Sequence, residues 1–312
     1  MEIYKKYCLL NEIDLNRINL PKDISNTELH KNEAQFCVSS GALHLERVNQ
    51  NIDQIRLDFF INLTSEVIKF YNLNNLNFKF IVNLNDGPEN DSTETRLCFA
   101  RPKNSTHICI PDSHLNRTIS ICNSLESIDK PFSQKINKAS FFGSDTGRKY
   151  IDGSVQRLNF CKKYKNSENV IAKITNFVDQ PFDVSVYHEP VSIKDQLDYK
   201  YIININGNTT SWERLIWAMN SNSFCLFLRP PAHQDEISWY YHMFELSQFF
   251  ITVDENSIEN FLYWSFDWQS EIESFNEHQK NISKSLAKID FHAHYYAQVL
   301  LNYNQIYNGQ NK

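Results

Sequence analysis

Residues 199–228 read YKYIININGNTTSWERLIWAMNSNSFCLFL. Two runs of β-branched and aromatic residues, each too short for a helix, flank a polar turn and a segment with helical spacing. Strand, helix and strand in that order predict a βαβ unit, whose two strands are parallel. The turn holds Gly207, one of only 7 glycines in the chain, and Arg214 falls in the first turn of the expected helix.

Outward from this stretch the alternation continues. KASFFG (138–143), NVIAKIT (169–175) and FFITV (249–253) read as further strands, with helical segments between them and from 256 to 306. Strands separated by helices of this length predict a parallel sheet covered on both faces. The first half is mixed: helical spacing over 45–73, a strand NFKFIVNL (77–84) stopped by the turn formers NDGPEND, and short strands at 96–100 and 107–110. That places Asp86 in the loop after a strand. Residues 1–45 have no assignable period.

The 312 residues, 41% hydrophobic, suffice for two domains with separate cores. A net charge of −6 excludes a broad basic field for a nucleic-acid backbone or an anionic bilayer, though a small anion in one local basic site remains possible. The 7 cysteines form no C-x-x-C pair and read as reduced and mostly buried, as in the cytosol. The N-terminus is a poor signal peptide and no run of about 18 apolar residues occurs, so no transmembrane segment is expected.

Ligands of parallel sheets bind at the carboxyl ends of the strands, beside helix N-termini. The candidate turns carry glycine: Gly143 and Gly147 in FFGSDTG, Gly207 in NINGNTT. Each glycine serves either a tight turn or a close backbone approach to a ligand. Neither G-x-G-x-x-G nor a P-loop occurs. Thr210 or Ser211 suits a helix N-cap, and a cation at Arg214 then opposes the helix dipole. A bound phosphate resolves that conflict; so does a salt bridge to Glu213 or another carboxylate. Trp212, Trp239, Tyr240 and Tyr241 offer either stacking surfaces or core packing. His292 and His294 are two residues apart on a helix and point to different faces, which argues against a metal pair.

The stretch 199–228, followed by SWYY and FFITV, resembles the core of glycosyltransferase family 90, which includes Rumi-type protein O-glucosyltransferases, capsule-associated xylosyltransferases and lipopolysaccharide-A proteins. Ser211, Arg214, Leu215, Ser221 and Ser223 fill the family pattern after the glycine turn. Phe141, Gly143, Ser144 and Thr146 match a second block, and FIVNLNDGPE a looser third. The blocks cover roughly residues 77–265. Two departures stand out: Phe142 and Asp145 occupy places where arginine is common, so Arg148 or Arg157 would have to substitute.

The resemblance implies an α/β, GT-B-like architecture of two Rossmann-like domains facing across a cleft. The expected division is an acceptor-side domain at 1–135, a nucleotide-sugar domain at 136–270, and C-terminal helices at 271–312 packing back on the first domain. It further implies inverting transfer without metal or other cofactor, from a UDP-sugar to an oligosaccharide or lipid-linked glycan. No Asp-x-Asp pair occurs, in keeping with that. Asp86 falls on the family's catalytic base, with the turn aspartate as the plain alternative. Arg214 would hold the leaving UDP, and Gly143, Ser144, Thr146, Gly147, Arg148, Arg157, Gly207, Thr210, Ser211 and Trp239 would line the nucleotide-sugar site. The expected place is the cytoplasm or the inner face of the membrane, in lipopolysaccharide or capsule synthesis, with peripheral membrane contact possible and no nucleic acid partner. Alternatives are an inactive sugar-nucleotide or glycan-binding protein on the same fold, or a protein O-glucosyltransferase.

Overall fold

The computed structural model describes Ile24 and residues 27–85, 94–102, 105–147, 149–210, 213–231, 236–241 and 251–310. The chain is mixed α/β and divides into two compact units. Unit 1 draws on residues 1–115, 236–242 and 289–312, and unit 2 on 116–235 and 243–288. The division differs from the boundaries expected at 135 and 270: residues 116–135 and 271–288 belong to unit 2, and only the last helix joins unit 1.

In unit 1, β1 (Glu33–Ser39) and β2 (Ala42–Val48) form a hairpin whose turn residues Ser40 and Gly41 both have positive φ. This is the turn geometry that matches strand twist. β1 also pairs antiparallel with β3 (Phe78–Asn83), and β3, β4 (Leu97–Cys98) and β6 (Ile108–Cys109) continue in parallel, giving a mixed sheet. β5 (Arg101–Pro102) pairs separately with β11 (Glu236–Ile237). The helical spacing predicted from 45 is corrected at its start: Leu45–Val48 lies in β2, and helix α1 (Gln54–Phe70) begins only after Asp53, whose carboxylate accepts the Arg56 amide as N-cap. Leu57, Phe60, Thr64, Val67 and Ile68 form its buried stripe. The last helix packs on this stripe: Tyr296 meets Thr64 at 2.9 Å through the two hydroxyls, and Tyr303 lies 5.0 Å from Phe78.

Unit 2 is built on a parallel sheet of β7 (Ile136–Ser144), β8 (Val170–Asn176), β9 (Tyr199–Asn204), β10 (Phe224–Leu228) and β12 (Thr252–Val253). Its spatial order is β8-β7-β9-β10-β12. Chain direction across the sheet therefore reverses between β7 and β9, the topological switch point where open parallel sheets take ligands. Helix α2 (Leu115–Ile128) leads into the unit. The strands expected at 138–143, 169–175, 199–205 and 223–228 are present within one or two residues.

Helices cover both faces of this sheet. Phe160 and Cys161 of α3 (Gln156–Lys163), with Ile258 and Leu262 of α6 (Ile258–Asp267), pack with Phe141, Ala172, Ile203 and Leu226 in one core. A four-residue helix, α4 (Ile193–Gln196), precedes β9. On the other face α5 (Glu213–Asn220) and α7 (Gln269–Ser283) pack together, and the Gln279 side chain bonds both the amide and the carbonyl of Cys225. The chain ends in α8 (Ile289–Gln310) of unit 1. Six cysteines are described, all as free thiols, and Cys98, Cys109, Cys161 and Cys225 are buried. No helix among the described residues is long and apolar enough to cross a membrane.

Candidate functional site

The loops leaving β7 and β9 meet around one guanidinium. Arg157, in the first turn of α3, donates from Nε and Nη2 to the Ile205 carbonyl at 3.3 and 2.9 Å. From Nη1 it reaches Ser144 Oγ at 3.2 Å and Thr146 Oγ1 at 3.3 Å, two hydroxyls themselves 2.7 Å apart. Arg157 thereby ties the end of β7 to the end of β9 across the switch point.

The glycines leave room for this packing. A Cβ on Gly207 would stand 3.2 Å from Arg157 Nη2. Gly147 has φ +145°, and its Cβ would stand 3.1 Å from the Asn206 carbonyl. Gly143 would push its Cβ to 2.9 Å from the Phe141 ring and 3.5 Å from Arg214 Nη2. Gly147→Ala is therefore expected to cost about 1 kcal/mol or more, because it adds a side chain at positive φ against backbone. An unchanged urea midpoint would contradict the crowded junction.

Arg214, from α5, comes to the same strand ends. Its Nη2 donates to the Phe142 carbonyl, and its Nη1 is buried with no hydrogen-bond partner. The two guanidiniums lie over one ring, with 5.1 Å from Arg214 and 5.8 Å from Arg157 to the centre of Phe141. Among the described residues neither arginine has a carboxylate within ion-pair reach. Glu213, the salt-bridge alternative for Arg214, pairs instead with Arg117 at 3.0 Å. Burial pushes Arg157 down to about 9, and the positive charge of Arg214 acts in the same direction. Burial also takes Arg214 down to about 10, opposed in part by Glu213. Both stay charged at neutral pH, so unit 2 holds two desolvated cations side by side with no ion-pair partner among the described residues, offset only in part by the charges of Asp145 near Arg157 and Glu213 near Arg214.

Asp145 stands where a cation was expected by resemblance, and its role is structural. Fully buried, its carboxylate accepts the backbone amides of Val178 at 2.7 Å, Asp179 at 3.2 Å and Gln180 at 2.6 Å. It fixes the loop after β8, next to the loop that carries Thr146 and Gly147.

Gly143, Ser144, Thr146, Gly147, Arg157, Gly207 and Arg214 are thus brought together at the ends of β7 and β9. Thr210 is buried just beyond β9, as is Thr209. Trp239 belongs to unit 1, stacked on Tyr295 at 4.2 Å and 19° with His292 at its edge, as a packing residue. Asp86, Arg148, Ser211 and Trp212 lie outside the described residues. Two features escaped sequence reading: Phe141 as the shared floor under both guanidiniums, and the Ile205 carbonyl as the principal acceptor of Arg157. The aromatic in FFG was visible as a strand residue, but nothing in the sequence marks a carbonyl as an acceptor.

Among the described residues no three His, Cys, Asp or Glu side chains gather as a metal-binding group would. No protein-family model matches the chain, and no curated protein matches it in sequence.

Proposed function

We propose that this chain is an inverting, metal-independent glycosyltransferase of GT-B architecture that moves a sugar from a UDP-sugar to a hydroxyl of a glycan acceptor. The observation that carries the reading is the pair of buried arginines, without an ion-pair partner among the described residues, at the switch point of the parallel sheet, beside three glycines that keep the backbone close. A diphosphate supplies the missing negative charge, and charge-assisted bonds from guanidinium to phosphate are among the strongest available.

In the proposed reaction the acceptor hydroxyl oxygen attacks the anomeric carbon as the bond from that carbon to the diphosphate breaks. The hydroxyl proton passes to a carboxylate, assigned to Asp86, and the electron pair leaves with UDP. Arg214 and Arg157 stabilise the charge that grows on the departing diphosphate. Ser144 and Thr146 orient Arg157. The acceptor is proposed to be an oligosaccharide or lipid-linked glycan of lipopolysaccharide or capsule synthesis, handled in the cytoplasm at the inner face of the membrane.

UDP at about 100 times its Kd should add about 2.7 kcal/mol to folding stability. That corresponds to a rise in melting temperature of roughly 5–10 °C for a domain the size of unit 2. The shift should persist in EDTA; its disappearance there would make the donor site metal-dependent. Asp145, committed to backbone amides in place of an added cation, favours a second reading as a sugar-nucleotide-binding protein without turnover. UDP binding with no release of sugar from a panel of UDP-sugars would select it.

A further inference from the structure

Asn204 ends β9 with a polar side chain that the fold leaves unused. It is fully buried, and neither its Oδ1 nor its Nδ2 has a hydrogen-bond partner among the described residues. Exchanging the two amide atoms changes nothing, because both are orphaned. Tyr201, Ile203 and Ile205 point into the core shared with α3 and α6, so strand alternation turns Asn204 to the opposite face, where α5 packs. Its backbone is pinned by pairing with Phe227 of β10, which keeps the amide from swinging out to water.

Arg214 brings a third orphan to the same place. β7 and β9 pair in register at Ser140 and Ile202, and two residues further along the two strands stand Phe142 and Asn204. The Phe142 carbonyl is the one that Arg214 Nη2 holds, while Nη1 stays buried without a partner among the described residues. Asn204 thus stands one strand spacing, ~4.8 Å, from the residue that anchors Arg214. Leaving buried polar groups unmatched is costly, and a ligand that matches them recovers that cost.

The three atoms define what such a ligand offers. Nη1 calls for an anionic oxygen, Nδ2 for an acceptor and Oδ1 for a donor. A bare diphosphate ionised at neutral pH has acceptors only and leaves Oδ1 unmatched. A sugar hydroxyl both donates and accepts, so a sugar carrying a phosphate satisfies all three. We infer that Asn204 is a specificity residue that holds a hydroxyl of a sugar while Arg214 holds the phosphate attached to it. The nucleotide part of that ligand rests on the glycosyltransferase reading; the phosphosugar part follows from the three atoms.

Calorimetric titration of the full chain with UDP, UDP-glucose, UDP-galactose and UDP-N-acetylglucosamine, and with glucose 1-phosphate and galactose 1-phosphate, tests this. At least one UDP-sugar should bind about three- to tenfold tighter than UDP, the worth of one or two neutral hydrogen bonds. Asn204→Ala should remove that margin while UDP keeps its wild-type affinity. Asn204→Asp is a second variant that does not depend on which sugar is right. Its carboxylate pairs with Arg214, so the free protein should melt higher at neutral pH and bind UDP at least tenfold more weakly. An Asn204→Ala protein that keeps the margin overturns the assignment, and so does one that loses as much affinity for UDP as for the UDP-sugar, since the amide then reads base or phosphate. An Asn204→Asp protein that melts below the wild type overturns it too, because the amide then serves the fold. If UDP fails to bind while a sugar phosphate binds and is weakened by Asn204→Ala, the glycosyltransferase reading falls and the role of Asn204 stands. UDP binding with no margin for any of the sugars removes only the role of Asn204.

Discussion

Arg214→Ala is expected to weaken UDP binding roughly ten- to a hundredfold while leaving the melting temperature of the free protein unchanged or higher. Removing a charged partner from a charge-assisted contact costs about 1.5–3 kcal/mol. The stability forecast follows from how little the side chain contributes to the fold. Its one hydrogen bond goes to the Phe142 carbonyl, its Nη1 is buried unpaired, and burial disfavours its charge. Arg157 is the contrasting case. It joins the Ile205 carbonyl to the Ser144 and Thr146 hydroxyls, so Arg157→Ala removes the bonds that tie the ends of β7 and β9 together, each worth about 0.5–1.5 kcal/mol. That variant should lose stability and UDP affinity together. Calorimetric titration and thermal unfolding of the two variants separate the roles. An Arg214→Ala protein that melts much earlier yet binds UDP like the wild type would make this arginine structural and leave the proposed donor site without its anion contact.

The contrast also marks where sequence reading stopped. Gly207 and Arg214 stand together in one quoted stretch, and their proximity in sequence invited a joint role. In space Gly207 makes room for Arg157, from a helix about 50 residues earlier, and it is Gly143 that lies against Arg214. Local patterns cannot express such pairings, because the switch point collects chain segments from separate βα units. The parallel strands themselves were legible: each is a short apolar run ended by polar turn residues, and the buried all-apolar β10 is the clearest case. The β1–β2 hairpin was not. β2 is largely exposed and carries His44, Glu46 and Arg47, so it shows neither strand alternation nor a helical stripe. Asp145 was equally opaque, since its three amide partners lie 33–35 residues further along. The return of residues 236–242 to unit 1 was hidden for a similar reason: SWYY reads equally as stacking surface or as core, and Trp239 was assigned to the donor site, whereas it stacks on Tyr295 of unit 1.

Asp86→Asn is expected to lower turnover of the proposed transfer by about 10²-fold or more, the usual cost of losing a general base. In the sequence the residue follows β3, Leu84 and Asn85, just past the carboxyl end of a strand that is buried at five of its six positions. It lies outside the described residues, so the forecast rests on that sequence position and on the resemblance. The substitution keeps size and polarity and removes only the capacity to accept the hydroxyl proton. UDP affinity should stay near the wild-type value, because the anion is assigned to arginines of unit 2 and Asp86 follows a strand of unit 1 in the sequence. The pH profile gives an independent readout. A carboxylate base works only when deprotonated, so wild-type turnover should rise with pH through its pKa, and the asparagine variant should lose that rising limb along with the rate. Near-normal turnover with the limb intact would move the base to another residue. A drop in UDP affinity equal to the drop in rate would show instead that the β3 loop shapes the donor site and that proton transfer was never its task.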